Sequence, residues 1–210
     1  LWPWYGVSLS ALSLALLSKE ISLTFPLLLL SHAWLLDRRP APLWSRIWPH
    51  HLPYWLISIL YFVLYQVLTS HSLERALQVR NWGAHIATQA KALVHYIKLA
   101  FVPTSLNVHQ QFFVSTSPLE SSPFIALLLG LSLLAGVWLL RQHLPLLAFG
   151  LMWFALTLLP TLVIPLHILV NDHRLYLPLA GLALSLAHLM PILRKPWPLY
   201  LACGLLALLS

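Results

Sequence analysis

The chain has 210 residues, of which 60% are hydrophobic and only 8% are charged. Soluble domains carry roughly 25% charged residues, so this composition excludes an ordinary soluble domain and predicts an integral membrane protein. The net charge is +7, but the basic residues are scattered between apolar stretches. Positive-inside bias explains that pattern, which argues against nucleic-acid binding. The single cysteine, Cys203, rules out an internal disulfide.

The apolar stretches predict an all-α fold, a polytopic bundle of transmembrane helices forming one domain over residues 1–210. A transmembrane helix needs about 20 predominantly apolar residues. Pro26 predicts a kink in the short second stretch. We expect the chain to be the middle or C-terminal part of a longer membrane protein. About seven stretches are predicted to span the bilayer, at 2–18, 21–36, 52–69, 122–140, 144–162, 175–193 and 197–210.

Segment 84–102, within the long loop 70–121, has a different pattern. Its polar residues recur at three- and four-residue spacing, and apolar residues fill the other side, which predicts an amphipathic helix. Such a helix lies in the membrane interface, or it re-enters the bundle and lines a polar cavity; the sequence leaves both placements open. The polar positions are His85, Thr88, Lys91, His95 and Lys98.

The charges of the short loops predict the topology. If 84–102 does not cross the bilayer, the basic linkers at Arg38–Arg46, Arg141 and Arg194–Lys195 all fall on one face. By the positive-inside rule that face is cytoplasmic. Loop 70–121 and the two ionic clusters described next then lie on the opposite, extracytoplasmic face. The family resemblance described below implies that this membrane is the inner membrane of a bacterium.

Two small ionic clusters at the ends of apolar stretches are the candidate site. A charge at the bilayer centre costs about 2.5–3.5 kcal/mol, so ionisable residues near membrane depth are functional candidates. Arg and Lys suit phosphate oxygens, and the acids can orient these cations or bind hydroxyl groups. If the clusters share one pocket, a polyprenyl-phosphate sugar fits it. The alternative is that the cations are interfacial anchors. The members are Lys19, Glu20, Asp172, His173, Arg174 and, as a stacking residue, Tyr176.

A metal site has little support in the sequence. His109, His167 and His173 could together hold a divalent metal, but no close HxH, HxxxH or HExxH spacing is present. We therefore predict no cofactor, with a divalent metal as the alternative.

Three blocks of the chain, in order, resemble those of a known enzyme family. Residues 17–20 (LSKE), followed by 24–28 (TFPLL), resemble the block "LSKE…tLPLLLL". Thr88-Gln89, followed by Tyr96 and by residues 101–103 (FVP), resembles "TQ…Y…L.P". Residues 172–178 (DHRLYLP) resemble "EHRLYLP". The family is that of bacterial multipass GT-C glycosyltransferases with tetratricopeptide (TPR) tails, which is similar to the eukaryotic transmembrane-and-TPR O-mannosyltransferases.

The resemblance implies the GT-C fold and an inverting sugar transfer. The donor would be a polyprenyl-phosphate sugar and the acceptor a protein or glycan on the extracytoplasmic face. Lys19 and Arg174 would contact the donor phosphate, and Asp172 stands where the family usually has Glu. Gln89, Asn107 and His109 would contact acceptor or sugar.

Two features of the family are not matched in this chain. Residues 106–112 read LNVHQQF where the family is closer to "LNLDHDF", so His109 and Gln111 replace common acids. The family's catalytic carboxylate, which would deprotonate the acceptor hydroxyl, lies in the first extracytoplasmic loop, expected before residue 1. No catalytic residue is therefore predicted here, and the fragment is not expected to turn over alone.

Three other functions remain open at this stage. An O-antigen ligase or polymerase also uses extracytoplasmic Arg and His. A transporter or flippase for lipid-linked substrates predicts inverted repeats and helices broken at the midplane. A non-catalytic membrane scaffold predicts no pocket.

Overall fold

The computed structural model describes residues 2–37, 42–79, 82–103, 121–163 and 171–192, and every regular element in these ranges is helical. The predicted all-α class is confirmed. Two short 3₁₀ helices, Glu20–Thr24 and Asp172–Leu175, lead directly into two of the α-helices. The seven α-helices of the described ranges are α1 (Trp2–Ser18), α2 (Phe25–Leu35), α3 (Leu43–Val79), α4 (Trp82–Phe101), α5 (Ser121–Leu140), α6 (Pro145–Val163) and α7 (Tyr176–Ile192).

Within the described ranges, one helical stretch is long and apolar enough to cross a bilayer by itself. It is His50–Thr69, inside α3. Shorter apolar helices of 10–17 residues cover Pro3–Ser18, Glu20–Leu35, Phe124–Leu140 and Pro145–Pro160. The count of seven spans goes beyond this finding and stays a prediction. The last predicted span, 197–210, lies outside the described residues.

The predicted kink at Pro26 is wrong, because Pro26 occupies the first turn of α2. The first N–H groups of a helix have no partner within it, so proline costs nothing there. The preceding residues form the first 3₁₀ helix instead of continuing a long α-helix. The stretch predicted as one kinked helix is thus a 3₁₀ helix followed by an α-helix.

α6 lies at the centre of the bundle and packs against α2, α4, α5, α7 and the first 3₁₀ helix. Its closest approach is to α7, where Gly150 faces Gly181 and Ser185. The Ser185 hydroxyl donates to the Leu147 carbonyl at 3.2 Å, and Trp153 Nε1 donates to a carbonyl at the start of α7. Small residues at such contacts let helix backbones approach closely, as in membrane proteins.

The bundle has two distinct ends, and one of them carries a stacked aromatic and cationic cluster. The Arg141 guanidinium lies 3.4 Å from the centroid of the Trp138 ring and 5.5 Å from that of Trp34. Trp34 is at the C-terminal end of α2, whereas Lys19 adjoins the 3₁₀ helix that precedes α2. Arg141 and Lys19 therefore lie at opposite ends of α2, the arrangement that the predicted topology requires.

We expect Gly181→Ala to destabilise the protein by about 1–3 kcal/mol, the usual cost of overpacking. A Cβ at Gly181 would lie 2.6 Å from the Gly150 carbonyl oxygen and 2.9 Å from the Phe154 nitrogen, so α6 and α7 would have to separate. Gly6→Ala is the matched control, because a Cβ there meets no atom within 4 Å. Thermal unfolding in detergent measures both variants. Equal midpoints for the two would contradict the close α6–α7 packing.

The predicted sidedness is tested by cysteine labelling in a Cys203→Ala background. Gln142→Cys, in the turn between α5 and α6, should react with an impermeant maleimide only from the cytoplasmic side. Ser18→Cys, next to Lys19, should react only from outside. Labelling of both positions from the same side would rule out the topology.

Candidate functional site

The two 3₁₀ helices are built alike and lie at the same end of the bundle. Each follows an extended residue, Lys19 (φ −152°, ψ 137°) or Asn171 (φ −144°, ψ 121°). Each then enters an α-helix whose first turn contains a buried proline. Residues 20–27 (EISLTFPL) and 172–179 (DHRLYLPL) share an acid, a leucine, a proline and a second leucine at the same offsets. This short repeat was not predicted, although the residue types alone show it once the two segments are aligned.

The structure brings the two predicted ionic clusters together. Lys19 Nζ lies 5.4 Å from the centroid of the exposed Tyr176 ring, a cation–π contact. Partial burial lowers the pKa of His173, the neighbouring cations Lys19 and Arg174 lower it further, and Glu20 opposes them. The shift favours the neutral imidazole of His173, so Lys19 and Arg174 are the fixed cations at this end.

The Arg174 side chain is half-buried, and its charge lies near Tyr96 of α4. Its Nη1 atom is buried and makes no hydrogen bond to any residue in the described ranges. A buried donor without an acceptor costs roughly 1–3 kcal/mol. One arm of the arginine fork is thus placed to receive an acceptor from a ligand.

α4 holds the second 3₁₀ helix through two adjacent residues. The Tyr96 hydroxyl donates to the Asn171 carbonyl at 3.3 Å and accepts from the Asn171 N–H at 3.2 Å. His95 Nε2 lies 3.3 Å from Asp172 Oδ1. Burial raises the pKa of Tyr96, and its hydrogen bond to Asn171 and the nearby charge of Arg174 oppose that rise. Both contacts pack this turn of α4 against the second 3₁₀ helix.

The buried stripe of α4 extends beyond the cluster. His85, Thr88 and Gln89 are at most 2% exposed. Gln89 Oε1 makes no hydrogen bond within the described part of the chain. Gln89 lies seven residues before Tyr96, which is about 10 Å along the helix axis, so it is not part of the Lys19–Arg174 cluster itself.

The remaining predicted site residues divide into two groups. Glu20 is half-buried, within electrostatic range of His173 and of the tyrosines on α3. Asn107, His109 and His167 lie outside the described residues. In the described ranges, no group of three His, Cys, Asp or Glu side chains is arranged to hold a metal ion.

No known protein family, characterised protein or solved structure matches the chain. The glycosyltransferase resemblance stays a prediction.

The proximity of the two clusters can be measured through the titration of His173. Lys19→Gln should raise the His173 pKa, because it removes a cation that disfavours the imidazolium. Glu20→Gln should lower it further, because it removes the opposing anion. Lys98→Gln, on the exposed side of α4, should leave it unchanged. NMR titration of labelled histidines follows each variant, with His173→Gln assigning the resonance. An unchanged pKa in both Lys19→Gln and Glu20→Gln would mean that the clusters are apart.

Proposed function

We propose that the chain is part of a GT-C membrane glycosyltransferase. It would transfer a sugar from a polyprenyl-phosphate donor to a protein or glycan acceptor on the extracytoplasmic face. The observation that carries the proposal is the arginine fork of Arg174, in the same cluster as Lys19 and next to an apolar cavity. Its buried Nη1 has no hydrogen-bond partner among the described residues.

The charges of the cluster suit the head of such a donor. Arg offers a planar fork of donors to phosphate oxygens, and Lys offers a mobile point charge. In transfer, the phosphate leaves with developing negative charge, which fixed cations stabilise more strongly than water does. The lowered pKa of His173 favours its neutral form, so the proposal assigns the phosphate to the two cations Lys19 and Arg174.

An apolar cavity of about 480 Å³ suits the lipid tail. It lies among α4, α5, α6 and α7, and Gly130 and Ser132 are among its few residues without a large apolar side chain. Leu93, Phe154 and Leu158 line it and also pack in the core around Tyr96 and Leu175. The cavity therefore begins one side chain away from the residues that hold the second 3₁₀ helix. A ligand with a charged head and an apolar tail matches both features at once.

The acids of the cluster serve as orienting groups in this proposal. Asp172 has only 8% of its side chain exposed and pairs with His95, so it fixes the 3₁₀ helix that carries Arg174. Glu20 is placed to bind sugar hydroxyl groups beside Lys19. None of these acids is assigned as the base that deprotonates the acceptor; the resemblance implies a carboxylate in the enzyme's first extracytoplasmic loop.

The seven-span bundle in a bacterial inner membrane is part of the same proposal. Large apolar side chains cover the outer surfaces of the helices, including Leu17, Leu68 and Leu139, each more than 70% exposed. An apolar surface of this extent is rare on soluble monomers and suits contact with lipid. The helices too short to span alone require a thinned bilayer or flanking polar cavities.

The test is sugar transfer from a polyprenyl-phosphate donor by the full-length protein, in membranes with matched expression. Arg174→Ala should reduce transfer about 10- to 200-fold, because a charge-assisted hydrogen bond is worth about 1.5–3 kcal/mol. Arg174→Lys should recover only part of the activity, because lysine keeps the charge but loses the planar fork. Arg141→Ala is the matched control, since Arg141 stacks on Trp138 at the other end of the bundle.

Two outcomes would overturn the proposal. Near-normal transfer by Arg174→Ala would remove this residue from the donor site. Movement of the intact lipid-linked sugar across the bilayer, without transfer to any acceptor, would instead identify a flippase.

A further inference from the structure

We infer that Tyr96 is a positioning residue, which holds the second 3₁₀ helix so that the Arg174 fork faces the anion. This inference rests on the proposed donor-phosphate site and names the device that orients it. Nothing in the sequence resemblance assigns a role to Tyr96.

The contact between Tyr96 and Asn171 works as a clamp on the backbone. Asn171 is extended, so its N–H and its carbonyl point to the same side of the chain. One hydroxyl, that of Tyr96, meets both groups, at 3.2 Å and 3.3 Å. Both residues are at most 3% exposed, so water does not compete. The clamp therefore holds only while Asn171 stays extended.

The extended conformation of Asn171 starts the second 3₁₀ helix. From this position its side-chain Oδ1 accepts a hydrogen bond from the His173 N–H at 3.3 Å. Its carbonyl also accepts from the Arg174 N–H at 3.1 Å. Lys19, at the same position before the first 3₁₀ helix, makes no side-chain cap. The clamp is thus a specific feature of the helix that carries the arginine.

Tyr96 acts on Arg174 through the backbone. Its hydroxyl and the Arg174 N–H share the Asn171 carbonyl as acceptor, and the charge of Arg174 lies close enough to the phenol to oppose the rise in its pKa. The backbone position of Arg174 therefore depends on the Tyr96 hydroxyl. The neighbouring contact between His95 and Asp172 anchors the same turn, but its histidine is partly open to solvent.

Tyr96→Phe isolates this role, because it keeps the ring that packs on Leu99, Phe154, Leu158 and Leu175 and removes only the hydroxyl. Tyr54→Phe is the matched control. Tyr54 is also buried and loses one hydrogen bond, that to Ser8 at 2.9 Å, in the packing of α1 against α3.

The first experiment measures binding of a polyprenyl monophosphate, and of the neutral polyprenol, to the full-length protein in lipid nanodiscs. Tyr96→Phe should weaken phosphate binding about 5- to 50-fold, as the loss of one or two hydrogen bonds predicts, and leave polyprenol binding unchanged. It should have no further effect in an Arg174→Ala background, because the two residues act as a unit. An equal loss for both lipids, an equal loss in Tyr54→Phe, or additivity with Arg174→Ala would overturn the inference.

The second experiment needs no ligand and separates the clamp from the proposed function. Hydrogen–deuterium exchange should quicken at Asn171 and Arg174 in Tyr96→Phe, but not in Tyr54→Phe. Unchanged exchange at both amides overturns the clamp, whatever the lipid binding. If exchange quickens and the unmutated protein binds phosphate and polyprenol equally, the clamp stands and the donor-phosphate site is rejected.

Discussion

The close approach of α6 and α7 is the constraint on which the rest of the structure depends. Glycine at positions 150 and 181 lets the two backbones come into contact. This contact fixes the position of the first turn of α7 relative to α6. The second 3₁₀ helix therefore meets the side chains of α4 and the end of the first 3₁₀ helix. A wider spacing would move Asp172 and Arg174 away from both neighbours.

The two cations of the cluster are accommodated in different ways. Lys19 stays exposed and rests over an aromatic ring, where its desolvation is small and its contact is worth about 0.5–1 kcal/mol. The Arg174 side chain is partly buried, and a buried donor without an acceptor costs free energy of folding. Among the described residues the buried Arg174 Nη1 has no acceptor, and burying a donor in this way does not add stability. This asymmetry marks Arg174, more than Lys19, as the residue whose position serves a ligand.

The fold class followed from composition, because few charges and many long apolar stretches leave a helical bundle as the solution. The candidate residues were also predictable, because charged residues are few and Lys19 and Arg174 are among them. Helix lengths were harder to predict. A run such as 21–36 reads as one helix by hydropathy, and nothing in hydropathy separates a 3₁₀ start from an α-helical one. Pro26 was ambiguous for this reason, since proline kinks a helix or begins it depending on where the first turn lies.

The partners of α4 could not be predicted from periodicity. An amphipathic pattern indicates that a polar face exists, but not whether water or protein covers it. The residues that cover this part of α4 are Asn171 and Asp172, 75 or more positions away. A single sequence gives no information about contacts at such a separation. The His95–Asp172 pair is the clearest case, because each residue alone looks like a loop or interface charge.

The clamp at Asn171 also satisfies two backbone groups that, in a β-sheet, a neighbouring strand would pair. In an all-helical bundle an extended residue has no edge strand beside it, and peptide groups left unpaired in a poorly hydrated interior cost several kcal/mol each. The phenolic oxygen of Tyr96 takes the place of a neighbouring strand, because this one atom hydrogen-bonds both the N–H and the carbonyl of Asn171. A serine or threonine at position 96 carries the same group but ends several ångströms short of the peptide. A change of the side chain at position 96 therefore requires a change of the backbone conformation at position 171. The same holds for natural relatives and for designed variants.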